Sequence, residues 1–189
     1  MSDKNGKKPD TNREFEEVIA TCRALYVKKL QDYGASWRIM RPESLTDQIF
    51  IKAKRIRSIE TKGVSLIDEG IRSELIGIVN YGVIALIQLE HGFSDTVDKD
   101  ADWAISEYDK YSTAALELMK KKNHDYDEAW RGMRTTSYTD LILTKINRTK
   151  EIESHDGRTV VSEGIDANYM DMINYAVFGL IKIQEQSQA

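Results

Sequence analysis

The chain has 189 residues, a formal net charge of -4, 41% hydrophobic residues and a single cysteine, Cys22. That length fits one domain or two small units sharing a core, and the hydrophobic fraction is too high for a disordered chain. The slight excess of acid argues against general nucleic-acid binding, although a local cluster of Lys and Arg could still take a small anion.

One cysteine allows no internal disulfide, which fits a reducing compartment. Met1 to Arg13 is polar and shows no signal-peptide pattern. The longest apolar run, Ile76 to Leu89, is shorter than the roughly 20 residues a membrane helix needs. The expectation is a cytoplasmic protein without a membrane segment. With only two prolines, Pro9 and Pro42, most of the chain lacks a helix breaker.

In chain order, residues 1–12 read as a loose tail. A first helix follows from about Arg13 to Gln31, then a short segment around Trp37. A second helix is predicted from Ser44 to about Thr61. Ser44-x-x-Asp47 fits a capping box, and Lys62-Gly63 is a stop signal. A third helix, Leu66 to His91, is apolar almost all round in its second half, as expected of a helix buried on several sides.

After a polar linker at 92–100 the same elements return. A helix runs from Asp102 to Asn123, followed by a segment around Trp130. A helix from Ser137 to Ser154 has its own Ser137-x-x-Asp140 box, and Asp156-Gly157 is its stop. The last helix runs from Ser162 to Gln186. No stretch alternates long enough to build a sheet.

The recurrence is exact in residue type at many positions. Asp32-Tyr33, Trp37-Arg38, Met40-Arg41, Thr46-Asp47, Lys52 and Arg55 match Asp125-Tyr126, Trp130-Arg131, Met133-Arg134, Thr139-Asp140, Lys145 and Arg148. One residue is then inserted, and Asn80-Tyr81 matches Asn174-Tyr175. The chain is a tandem duplication. It is predicted to be an all-α bundle of two three-helix repeats, 13–91 and 101–189, sharing one core and packed as a pseudo-two-fold dimer. The third helices lie near the axis, with Gly77, Gly82 and Gly179 allowing close approach. Such a chain is either a monomer that is its own internal dimer or a unit that dimerises further.

Several positions could carry chemistry. Lys52 with Arg55, and Lys145 with Arg148, put cations on largely apolar helix faces. They read equally as a phosphate clamp or as ion pairs with acids of the third helices. Those acids are Asp68, Glu69 and Glu74 in the first copy and Glu163, Asp166 and Asp171 in the second. They either bind a divalent cation or complement the helix dipole, except that Asp171, within its helix, reads as a polar site or as a partner for Lys145 or Arg148.

Asn80 and Asn174 either contact a base or sugar or pair with each other to fix helix register. Trp37 with Arg38, and Trp130 with Arg131, either stack on a base and hold phosphate or plug the bundle ends. His91, His124 and His155 lack zinc-ligand spacing.

Lys121-Lys-Asn-His-Asp-Tyr126, Trp130-Arg131, Lys145-x2-Arg148 and Asp171-Met-Ile-Asn-Tyr-Ala176 together resemble the nucleotide modification associated domain one family, a helical domain of bacteria and phages. The resemblance covers both copies and implies a link with enzymes that make or handle modified deoxynucleotides. The architecture also looks like the MazG-like all-α nucleoside triphosphate pyrophosphohydrolases, whose acidic helix motifs bind Mg²⁺. This sequence departs from them: there is no Glu-Glu-x-x-Glu, and the Glu-x-x-Asp position reads Glu74-x-x-Gly77 in one copy and Asn168-x-x-Asp171 in the other.

The resemblance implies one of two activities. In a Mg²⁺-dependent pyrophosphohydrolase acting on ordinary or modified dNTPs, Lys52, Arg55, Lys145 and Arg148 hold phosphates. Glu74 and Asp171, with Glu163 or Asp166, hold the metal, Trp130 and Asn174 face the base, and Tyr175 is a further ligand-binding residue. The alternative is a non-catalytic nucleotide-binding or partner-binding module with a decayed metal site.

Overall fold

The structure, a computed structural model, describes residues 10–63 and 70–188. The described residues form six α-helices and no strand: α1 (Thr11–Tyr33), α2 (Pro42–Lys62), α3 (Ile71–His91), α4 (Ala101–Tyr126), α5 (Thr135–Ser154) and α6 (Ile165–Gln188). Single 3-10 turns, Ser36–Ile39 and Ala129–Gly132, carry Trp37 and Trp130. The fold class is all-α, as the periodicity implied.

Local chemistry sets the boundaries. The Asp10 carboxylate accepts from the Arg13 N–H and caps α1 at Thr11, so Thr11 and Asn12 belong to the helix rather than to a tail. Asp100 caps α4 in the same way through the Trp103 N–H at 2.8 Å. Gly63 closes α2 with φ 70, in the left-handed region that glycine adopts without strain.

The predicted capping boxes are not formed. Arg41 and Arg134 occupy the N-cap positions, which leaves Ser44 and Ser137 inside the first turns. In α2 the reason is Pro42 at the first helical position: its ring presets the helical φ and it has no N–H to satisfy. Asp47 and Asp140 are used elsewhere, as ion-pair partners of Lys150 (2.7 Å) and Arg57. The predicted start of the third helix at Leu66, with Asp68 and Glu69, lies outside the described residues. In the second copy α6 begins at Ile165, so Glu163 precedes the helix.

The core is shared by both halves. α3 packs on α6, α2 on α5 and α1 on α4, each element meeting its own counterpart. At Gly82 an added Cβ would lie 2.7 Å from Ile173 Cγ1, and at Gly179 one would lie 3.0 Å from Leu75 Cδ1, so these glycines set the α3–α6 approach. Gly77 does something else: a Cβ there would meet Lys52 Cε at 2.5 Å, so it clears a path for the Lys52 side chain. By length and composition α3 is apolar enough to cross a bilayer, but 72% of its most apolar stretch is buried inside the protein, as a core helix requires.

Candidate functional site

A cavity of about 570 Å³ opens in the first copy between α1, the Trp37 turn, α2 and α3. Helical spacing builds its walls. Tyr26, Lys29, Leu30 and Tyr33 form one face of α1, and Glu74, Gly77, Asn80, Tyr81 and Ile84 form one face of α3. Lys52 enters from α2 and Trp37 from the turn. Tyr33 is 55% exposed and Tyr81 half-buried, so both present ring surface to the opening. Burial, with Tyr81 nearby, raises the Tyr33 hydroxyl above its usual pKa.

Charge inside the cavity is organised by Glu74, which is 5% exposed. Its Oε2 lies 3.4 Å from Lys52 Nζ and its Oε1 accepts from Arg55. The Lys52 ammonium also sits 5.8 Å from the Tyr81 ring centroid. Lys29, exposed on α1, makes no ion pair among the described residues.

The same positions are wired differently in the second copy. Asn168 stands in place of Glu74, and Asp171 in place of Gly77. The acid has moved one helical turn. Asp171, 4% exposed, takes Lys145 Nζ on Oδ2 at 2.6 Å and Lys122 Nζ on Oδ1. Lys122 is the counterpart of Lys29, and partial burial would lower its pKa, but the Asp171 contact outweighs this and raises it. Asn168 turns back onto the Gly164 carbonyl at 2.8 Å.

The model of the family described as nucleotide modification associated domain 1 matches residues 29–89 and 122–183. This chain belongs to that family. It carries the domain twice, consistent with tandem duplication, and each match begins at one of the two equivalent lysines, Lys29 and Lys122. No curated protein and no solved structure matches the chain.

Of the remaining predicted residues of the two nucleotide modification associated domains, Arg38, Arg131 and Trp130 lie outside the cavity lining. Arg38 is 3% exposed and committed to Asp98 (2.9 Å), the Gln88 side chain and the Gly92 carbonyl. Arg131 is held by Glu14, Glu128, Glu185 and Thr11. Neither faces a cavity as a phosphate donor; both staple their turn to neighbouring helices. Trp130 is 5% exposed and stacks on Phe178 at 4.2 Å, and Trp37 is 7% exposed.

Asn80 does not pair with Asn174. Its Nδ2 donates to the Cys22 carbonyl and its Oδ1 accepts from the Tyr108 hydroxyl. Tyr175 is half-buried near Asp171, and Arg148 is exposed.

Sequence reasoning passed over Lys29, Lys122 and Gln88. The first two keep the repeat spacing, and that signal alone would have found them. Gln88 Nε2 donates to the carbonyls of Trp37, Arg38 and Met40, fixing the Trp turn from α3.

The proposed Mg²⁺ ligands do not fit a metal centre. Among the described residues no three His, Cys, Asp or Glu side chains come together as a metal-binding group. Glu74 and Asp171 are each already balanced by two cations, and Glu163 and Asp166 are exposed. A divalent ion would have to displace ammonium or guanidinium groups from each acid.

Proposed function

We propose that this chain is a nucleotide-binding module whose ligand enters the first-copy cavity. The observation that carries this reading is the lining: aromatic rings at Tyr33, Tyr81 and Trp37 beside the amines of Lys29 and Lys52, in a space of about 570 Å³. That volume falls in the range of roughly 300–1,000 Å³ typical of small-molecule sites. Aromatic faces suit a base, and a pair of ammonium groups suits a phosphate. The family's association with nucleotide modification points to the same class, ordinary or modified deoxynucleotides.

A Mg²⁺-dependent pyrophosphohydrolase is less well supported, because the acids that would hold the metal are engaged with cations. Binding without hydrolysis accounts for the geometry more simply. The pairing of like helices supports a further proposal, that the chain is its own internal dimer.

The test is thermal melting of the full chain against a panel of ordinary and modified dNTPs, with and without Mg²⁺. At a hundredfold excess over Kd a ligand adds about 2.7 kcal/mol of stability. For a domain of this size that raises Tm by roughly 5–10 °C. The expected result is a shift with nucleotide that does not need Mg²⁺ and that shrinks in Lys29→Met. No shift across the panel would overturn nucleotide binding. Pyrophosphate release with Mg²⁺ would overturn the non-catalytic reading.

A further inference from the structure

We propose that the ligand's anionic group is held between Lys29 and Lys52 in the first-copy cavity, the part that the Asp171 carboxylate plays between Lys122 and Lys145 in the second copy. Each chain then takes one ligand, in the first copy only. The ligand class rests on the nucleotide reading above; the place of the anion rests on ion-pair geometry.

In the second copy, the two oxygens of Asp171 receive Lys145 on one side and Lys122 on the other. The amines of these two repeat positions therefore converge on the span of one carboxylate. In the first copy the equivalent amines are Lys52 and Lys29, and both line the cavity. The equivalent carboxylate is missing, because its position is Gly77, and the Lys52 side chain lies over that glycine.

Glu74, one turn earlier, reaches Lys52 at 3.4 Å but leaves Lys29 without an ion pair among the described residues. Two ammonium groups facing a space with room for an anion are repelled by each other and stabilised by a phosphate oxygen between them. The second copy has satisfied the same demand internally. Asp171 is thus a resident substitute for the ligand's anion, and Gly77 marks the copy that has kept the site open.

Calorimetric titration of the full chain with dATP and, separately, with inorganic tripolyphosphate tests this. The variants are Gly77→Asp, which restores the second copy's carboxylate, and Lys29→Met on the exposed face of α1, with folding checked by circular dichroism. The expected result is one dATP per wild-type chain and a loss of at least about tenfold in affinity in each variant, the effect of removing a charged hydrogen-bond partner. If Gly77→Asp does not fold, Lys29→Met decides alone.

Two ligands per chain, or unchanged affinity in Lys29→Met, would overturn the placement and leave nucleotide binding intact. Tripolyphosphate binding as tightly as dATP with the same variant dependence would uphold the placement and overturn the nucleotide reading. Binding of neither probe would overturn both.

Discussion

Asn80 and Asn174 occupy one repeat position in different surroundings. The Asn80 amide is satisfied by the Cys22 carbonyl at 3.1 Å and the Tyr108 hydroxyl at 2.8 Å. Asn174 is 5% exposed, and among the described residues neither its Nδ2 nor its Oδ1 has a hydrogen-bond partner. The repeat explains the loss: the position equivalent to Tyr108 is Phe15, which carries no hydroxyl. A buried unsatisfied amide costs about 1–3 kcal/mol. Asn174→Leu, close to it in shape, is therefore expected to raise stability by up to about 1–3 kcal/mol. Asn80→Leu should lower it, because Cys22 and Tyr108 lose their partner. Urea unfolding of both variants checks this, and a destabilised Asn174→Leu would contradict an unsatisfied Asn174 amide.

At the scale of elements, α2 and α5 meet through reciprocal contacts. Thr46 donates to Glu153 at 2.7 Å and Thr139 donates to Glu60 at 2.8 Å, the same pair of positions with the copies exchanged. Asp47 with Lys150, and Asp140 with Arg57, repeat the exchange at the surface. Exposed pairs of that kind add little to stability, so the buried threonine–glutamate contacts matter more.

Burial pushes the Glu60 and Glu153 carboxyls above the ordinary 4.5, against the lowering effect of the threonine hydroxyls. Each glutamate then holds a proton more readily when folded. Between 4.5 and the raised values the folded state binds more protons than the unfolded one, so their contribution to stability rises as pH falls through that window. Melting temperature against pH should lose this slope in the Glu60→Gln/Glu153→Gln double variant. An identical slope in both proteins would reject these two residues as its source.

At the scale of the whole molecule, the apolar face of each third helix is covered by the other copy, with Leu75 against Gly179 and Ile173 against Gly82. A copy produced alone would expose that face, and an apolar patch of such size drives association. Residues 1–91 and 101–189, expressed separately, are expected to self-associate or to remain unfolded. Mixing them should restore a helical heterodimer. Sedimentation of the separate halves checks this, and a stable folded monomer of either half would contradict the shared core.

The legibility of this protein follows from what each feature depends on. Helices, the doubled register and the buried third helix were readable because periodicity and repeat spacing are written along the chain. The acids of α3 and α6 were readable as candidate partners of the lysines, since a cation on an apolar face needs one. The capping box of α2 failed because Pro42, two residues before Ser44, starts the helix earlier than the serine signal. The roles of Arg38 and Arg131 were hidden because their partners, Asp98 and Glu14 among them, are distant in sequence.

The sequence by itself determined an all-α duplicated chain and offered the acids of the third helices as one of two readings for the partners of Lys52 and Lys145. Only the tertiary structure decided that Lys29 and Lys52 line a cavity in the first copy while Asp171 pairs with the equivalent lysines in the second. The physical reason is that a one-turn shift of a single carboxylate looks minor along the chain, yet in space it decides which lysines are neutralised and which remain available to an anion.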